Sequence, residues 1–208
     1  MSGHVVLIGD SIFDNRVYVP GGPAVIDHLH RALPEGWKGT LLAVDGSTVA
    51  AVPRQLDRLP GDATHLVLSV GGNDALWTAG SVFATPAANV REALDLLAEP
   101  WAEFESAYRI LVRTILGRFL PLAVCTIYDS VPGLTPAERI GLSAFNDVIT
   151  RVAFEVGATL IDLRLLCREA SDYSSISQIE PSAAGGGKIA RAIVRALFDG
   201  EQGCRVVI

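Results

Sequence analysis

Five short, almost uninterrupted apolar runs constrain what this chain can fold into. They are "HVVLI" (4–8), "TLLAV" (40–44), "HLVLSV" (65–70), "LAVCTI" (122–127) and "ATLID" (158–162). None alternates polar with apolar, as a strand with one wet face would, so all five read as strands buried on both faces of a parallel sheet. Between them lie windows of helical character at 23–33, 48–58, 87–117, 136–156 and 183–198. "TPAER" (135–139) carries a full helix-start signal: Thr135 as N-cap, Pro136 at the first helical position and Glu138 at the third. In the last window Ile189, Ala192, Ile193 and Ala196 form one apolar stripe. Strand and helix alternate over the whole length, which predicts an α/β three-layer sandwich with a parallel five-stranded sheet and right-handed crossovers. No linker or repeat interrupts the pattern, so one domain over residues 1–208 is expected; the terminal "CRVVI" would add an edge strand.

Composition narrows the function. The chain has 208 residues, half of them hydrophobic and 19% charged, which is enough for a full core. A net charge of −6 argues against a nucleic-acid partner, because phosphate binding needs a basic face. No run approaches the roughly 20 apolar residues of a membrane span, and the first apolar run stops at Asp10, too short for a signal sequence. Cys125, Cys167 and Cys204 have no metal-site spacing and read as free thiols of a reducing compartment. A cytoplasmic protein without metal or organic cofactor is expected, and a homo-oligomer is left open.

In a parallel α/β sheet, ligands bind beyond the carboxyl ends of the strands. That rule selects Asp10 and Ser11, Asp45 to Ser47, Gly71 to Asp74, Tyr128 and Asp129, and Asp162. It sends His4 and His65, which precede strands, to the opposite end.

Three of these clusters together resemble the SGNH/GDSL hydrolases. "GDSIFDN" (9–15) is similar to that family's first block, "DGST" (45–48) to its second, and "VGGND" (70–74) to its third, each after a successive strand. The resemblance implies a flavodoxin-like SGNH fold with strand order 2-1-3-4-5 and hydrolysis of a small-molecule ester or acyl substrate. It puts Ser11 in the nucleophile's place, with the Ser11 N–H, the Gly46 N–H and the Asn73 side-chain amide as an oxyanion hole. Asp10 and Asp74 stand beside them as supporting carboxylates. Preorganised donors of this kind are worth about 3–4 kcal/mol each.

The family's last block, Asp-x-x-His-Pro, supplies the base and its orienting carboxylate. Here the matching stretch is "SQIEP" (177–181), with Ser177 for the aspartate and Glu180 for the histidine. His28 and His30 sit late in the first helix, so no histidine is placed to reach Ser11. Two readings of Glu180 follow. As a buried carboxylate with a raised pKa it can act as the base; as a cap near the positive end of the last helix it would instead belong to a catalytically silent protein that binds an acyl or carbohydrate ligand. "GGGK" (185–188) lacks the Ser/Thr and the preceding strand of a phosphate loop. Asp10 with Asp14 lacks the further carboxylate that a magnesium site needs.

Overall fold

The computed structural model describes residues 2–198. Its sheet has five parallel strands in the order β2-β1-β3-β4-β5. The strands are β1 (Gly3–Gly9), β2 (Trp37–Leu41), β3 (His65–Ser69), β4 (Leu122–Cys125) and β5 (Thr159–Ile161). Alternate residues face opposite sides. Val5, Leu7, Val67, Ala123 and Ile161 enter one core with α1 (Val25–Ala32) and α7 (Ala183–Phe198). Val6, Ile8, Leu66, Leu68 and Val124 enter the other with α2 (Pro53–Leu56), α4 (Val90–Leu116) and α5 (Pro136–Val156). Two separate apolar layers around one sheet make the three-layer sandwich. The remaining helices are α3 (Gly72–Val82) and α6 (Leu163–Leu166). "CRVVI" lies outside the described residues.

The α5 start carries its capping box: the Glu138 N–H donates to Thr135 Oγ1, and Glu138 accepts from the Thr135 N–H in return. Other boundaries differ from the sequence reading. β2 begins at Trp37 rather than 40 and ends at Leu41, because the Leu42 and Ala43 N–H groups both donate to the Leu7 carbonyl (2.8 and 3.0 Å) and break the one-to-one ladder. β4 stops at Cys125 because a side chain takes over the pairing: Asn146 accepts from the Ile127 N–H and donates to the Ile127 carbonyl, both at 2.8 Å. β5 cannot begin at 158, since the Ala158 N–H is committed to the Ala153 carbonyl at the end of α5. The 48–58 window splits into a 3-10 turn (Val49–Ala51) and the single turn of α2. Helix α3 lies outside every expected window; none of its residues is fully buried, so it has no apolar stripe to betray it.

β1 is the switch point of the topology: the chain goes one way to β2 and the other way to β3. A crevice opens at the carboxyl ends of β1 and β3. The segments that follow these two strands are the ones holding Ser11 and Asn73.

Candidate active site

Ser11 sits in the turn that follows β1, and that turn is tightly determined. Gly9 has φ +129°, and a Cβ there would lie 1.8 Å from the Ser69 carbonyl oxygen, so only glycine lets β1 and β3 close at this point. The Gly9 backbone is clamped by Gln55, which accepts from its N–H (2.8 Å) and donates to its carbonyl (2.7 Å). Asp10 then folds the chain back: its side chain accepts from the Ile12 N–H, and its carbonyl accepts from Phe13 and Asp14 (3.1 Å each).

Ser11, Asp10, Asn73 and Glu180 line one cleft. Asn73 stands in the first turn of α3, where its Nδ2 donates to the Ser47 carbonyl (2.9 Å) and leaves a second N–H of the amide uncommitted. Asp74 does not line the cleft. It accepts from the Val49 N–H with both oxygens (3.1 and 3.3 Å), tying the start of α3 to the loop after β2. Gly46 is also outside the cleft lining; it occupies the left-handed region at φ +76°, and a Cβ there would meet nothing within 4 Å. Among the described residues neither the Ser11 nor the Gly46 N–H donates to a protein acceptor.

Glu180 precedes α7 and is only 5% exposed. It does not cap that helix. Ser182 does, its Oγ accepting from the Ala184 and Gly185 N–H groups (3.1 and 3.2 Å). The backbone around Glu180 is anchored on several sides: its carbonyl accepts from the Ser174 N–H (2.8 Å), and the Ile179 carbonyl accepts from the Tyr128 hydroxyl (2.6 Å). Asn15 joins this segment to the β1 turn. Fully buried, it donates to the Pro181 carbonyl (3.1 Å) and accepts from the Val25 N–H (3.0 Å). Tyr128 is one of the residues that the strand-end rule selects; Asn15 and Gln55 are not. These two sit in or near the marked blocks, and the signal that could have flagged them is a buried amide on a loop otherwise packed by apolar residues.

The electrostatics are unusual for a buried site. Burial pushes the Glu180 carboxyl up to about 7; a hydrogen-bonding influence from the Ser11 hydroxyl pulls it down, and the Asp45 charge adds to the rise. Its Oε2 has no hydrogen-bond partner. Burial likewise holds Asp10 well above the usual carboxylate range, with the Glu180 and Asp74 charges adding to it. Asp74 is raised too, mainly by burial. No lysine or arginine forms an ion pair with any of the three among the described residues. None of the four histidines lines the cleft. His4 is held by Asp62 and Thr40 at the amino end of the sheet, His30 by the Gly39 carbonyl, His65 by Thr64, and His28 packs on Gly186 and Gly187 of α7. Among the described residues no group of three or more His, Cys, Asp or Glu side chains is arranged to hold a metal ion, and no helix is long and apolar enough to cross a membrane.

This fold and site define a class. Residues 7–186 match the model of the GDSL-like lipase/acylhydrolase family, and the chain belongs to that family. A search of curated proteins finds no match. Among solved structures, a lipase from a goat rumen metagenome is similar with a TM-score of 0.74 at 16% identity, over 94% of this chain and 97% of that one. An extracellular lipase from Streptomyces rimosus is similar with a TM-score of 0.68 at 17% identity, over 94% of this chain and all of that one. An acetylxylan esterase from Geobacillus stearothermophilus gives 0.65 at 19% identity, over 94% of each chain. At these identities the likeness establishes the shared fold.

Proposed function

We propose that this protein hydrolyses a carboxylic ester of a small molecule through an acyl-enzyme on Ser11, with Glu180 as the base. Glu180 carries the reading. A buried carboxylate with an unpartnered oxygen, lining the same cleft as a serine held on a rigid strand-end turn, has no structural task in view once Ser182 is seen to cap α7. Family membership and the lipase and esterase folds it resembles support ester chemistry.

In the reaction Glu180 takes the hydroxyl proton as Ser11 Oγ attacks the ester carbonyl. The negative charge that forms on the carbonyl oxygen is met by the Ser11 N–H and the free N–H of the Asn73 amide in the cleft, with the Gly46 N–H supplied from the adjoining loop that Asn73 grips at the Ser47 carbonyl. On collapse the C–O bond to the alcohol breaks, and Glu180 returns its proton to the departing alkoxide. A water then attacks the acyl-enzyme, gives its proton to Glu180, and the proton passes back to Ser11 as the acid leaves. A carboxylate of ordinary pKa is a weak base for this; one near 7 is matched to neutral pH. Asp10 and Asp74 serve by shaping the β1 turn and the start of α3. Buried free thiols at Cys125 and Cys167 agree with residence in a reducing compartment such as the cytoplasm.

The test is hydrolysis of para-nitrophenyl acetate and labelling by a fluorophosphonate. Ser11→Ala is expected to abolish labelling and to lower kcat by about 10³-fold or more. A parent protein that neither turns over esters nor reacts with the fluorophosphonate at any pH would be a silent binding protein on the hydrolase fold.

A further inference from the structure

The cleft does not end at Ser11. It continues between α3, α4 and α5 as an arm walled by Leu76, Val82, Phe83, Leu97, Leu142 and Phe145. Leu76 on its wall and Trp77 beside it on α3 are exposed. The few polar groups near the arm are already engaged. Glu138 is spent on Thr135 in the capping box, and Thr78 Oγ1 donates to the Asp74 carbonyl (3.0 Å). A sugar lying here would lose water and find few free partners; a hydrocarbon chain would lose nothing.

Gly141 is the feature that keeps this arm open. It lies in the second turn of α5, inside the helix, where glycine is costly relative to alanine. It is buried, and a Cβ there would meet only the Phe83 ring, at an ordinary contact distance of 3.5 Å. Neither a positive φ nor a close backbone approach demands glycine at this position. What its missing side chain does is leave space in the wall of the arm.

Resting on the acyl-enzyme reading above, we infer that the arm between α3, α4 and α5 binds the aliphatic acyl chain of the substrate, and that Gly141 opposite Phe83 sets how long that chain can be. The substrate class is then esters of medium-chain fatty acids rather than acetates. Each methylene buried in such an arm is worth about fourfold in kcat/KM.

The experiment compares para-nitrophenyl octanoate with para-nitrophenyl acetate. The parent is expected to favour octanoate in kcat/KM by about tenfold or more. Gly141→Leu, which fills the arm, should lower the octanoate-to-acetate ratio by about tenfold or more, and Gly141→Ala by about fourfold or less. Should Gly141→Leu fail to fold, as judged by circular dichroism, calorimetric binding of decanoate to the Ser11→Ala protein decides instead. Decanoate binding that Gly141→Ala weakens in that background supports the arm, even if no ester is ever turned over and the acyl-enzyme reading fails. Acetate cleaved as well as or better than octanoate, with no decanoate bound, overturns the inference while leaving the hydrolase reading intact.

Discussion

At the amino end of the sheet His4 is 3% exposed, and both ring nitrogens are engaged, Nδ1 with Asp62 (2.8 Å) and Nε2 with Thr40 (2.7 Å). Asp62 is also paired with Lys38 (2.6 Å), and these two partners, the lysine first, hold its carboxyl down at about 2. At the carboxyl end Glu180 is almost as deeply buried, yet Oε2 has no partner, no lysine or arginine among the described residues forms an ion pair with it, and the pKa moves the opposite way, to about 7. One end resolves its polar groups; the other leaves carboxylates unresolved. A buried, unpaired carboxylate costs free energy that a structural residue would not be asked to bear, and such strained titrations concentrate where chemistry is done.

The first way to break this comparison is to make Glu180 inert without changing its shape. Glu180→Gln cannot accept a proton and is expected to lower kcat/KM by about 10²-fold or more. In the parent, activity should require the ionised carboxylate, so kcat/KM should rise with pH and reach half its plateau near 7. The pH profile of ester hydrolysis checks both. Parent-like rates in Glu180→Gln, with Ser11 still essential, would mean that the unresolved carboxylate is not the base.

The same comparison explains what could be read from the chain alone. The five strands and the turns that hold Ser11 and Asn73 follow from local signals, the apolar runs and the residues just after them, whereas the strand order and the place of Glu180 follow from the family resemblance. The clamps that fix these residues carry no such signal. Gln55 reaches Gly9 across 46 positions and Asn15 reaches Pro181 across 166, and a single polar residue has no periodicity. The arm was hidden for a related reason. Helix α3 buries no residue completely, so the pattern that reveals other helices is missing where the cleft takes its place. Gly141 reads as a mere defect in α5 until the space beside it is seen.

A second prediction acts on the resolved end. His4→Ala removes a buried ring and both of its hydrogen bonds, and is expected to cost about 2–3 kcal/mol of stability. Because His4 lies at the far end of β1 from the cleft, kcat/KM should stay within about twofold of the parent. Urea denaturation and ester kinetics on the same preparation check the pair of effects. Lost activity in a folded His4→Ala protein would show that the two ends are coupled and not merely different.

The smallest effect is the one that most directly measures what the unresolved end costs. The Glu180 pKa is raised from its ordinary 4.5 to about 7, so the folded state holds this proton more tightly than the unfolded state does. Stability should therefore fall as pH rises through that window, with the full penalty present above about 7. The whole shift corresponds to about 3 kcal/mol, but water at the mouth of the cleft screens part of it. Replacing the charge with the neutral amide of Glu180→Gln should thus raise stability by about 1–2 kcal/mol at about pH 8. The gain should shrink toward zero as the pH falls below about 4.5, where the parent carboxyl is protonated in both states. Urea midpoints of the two proteins across this range give the answer. A variant both slower and more stable at alkaline pH would identify Glu180 as a residue kept for its chemistry at the expense of the fold. A variant less stable than the parent at every pH would instead assign the carboxylate a structural bond.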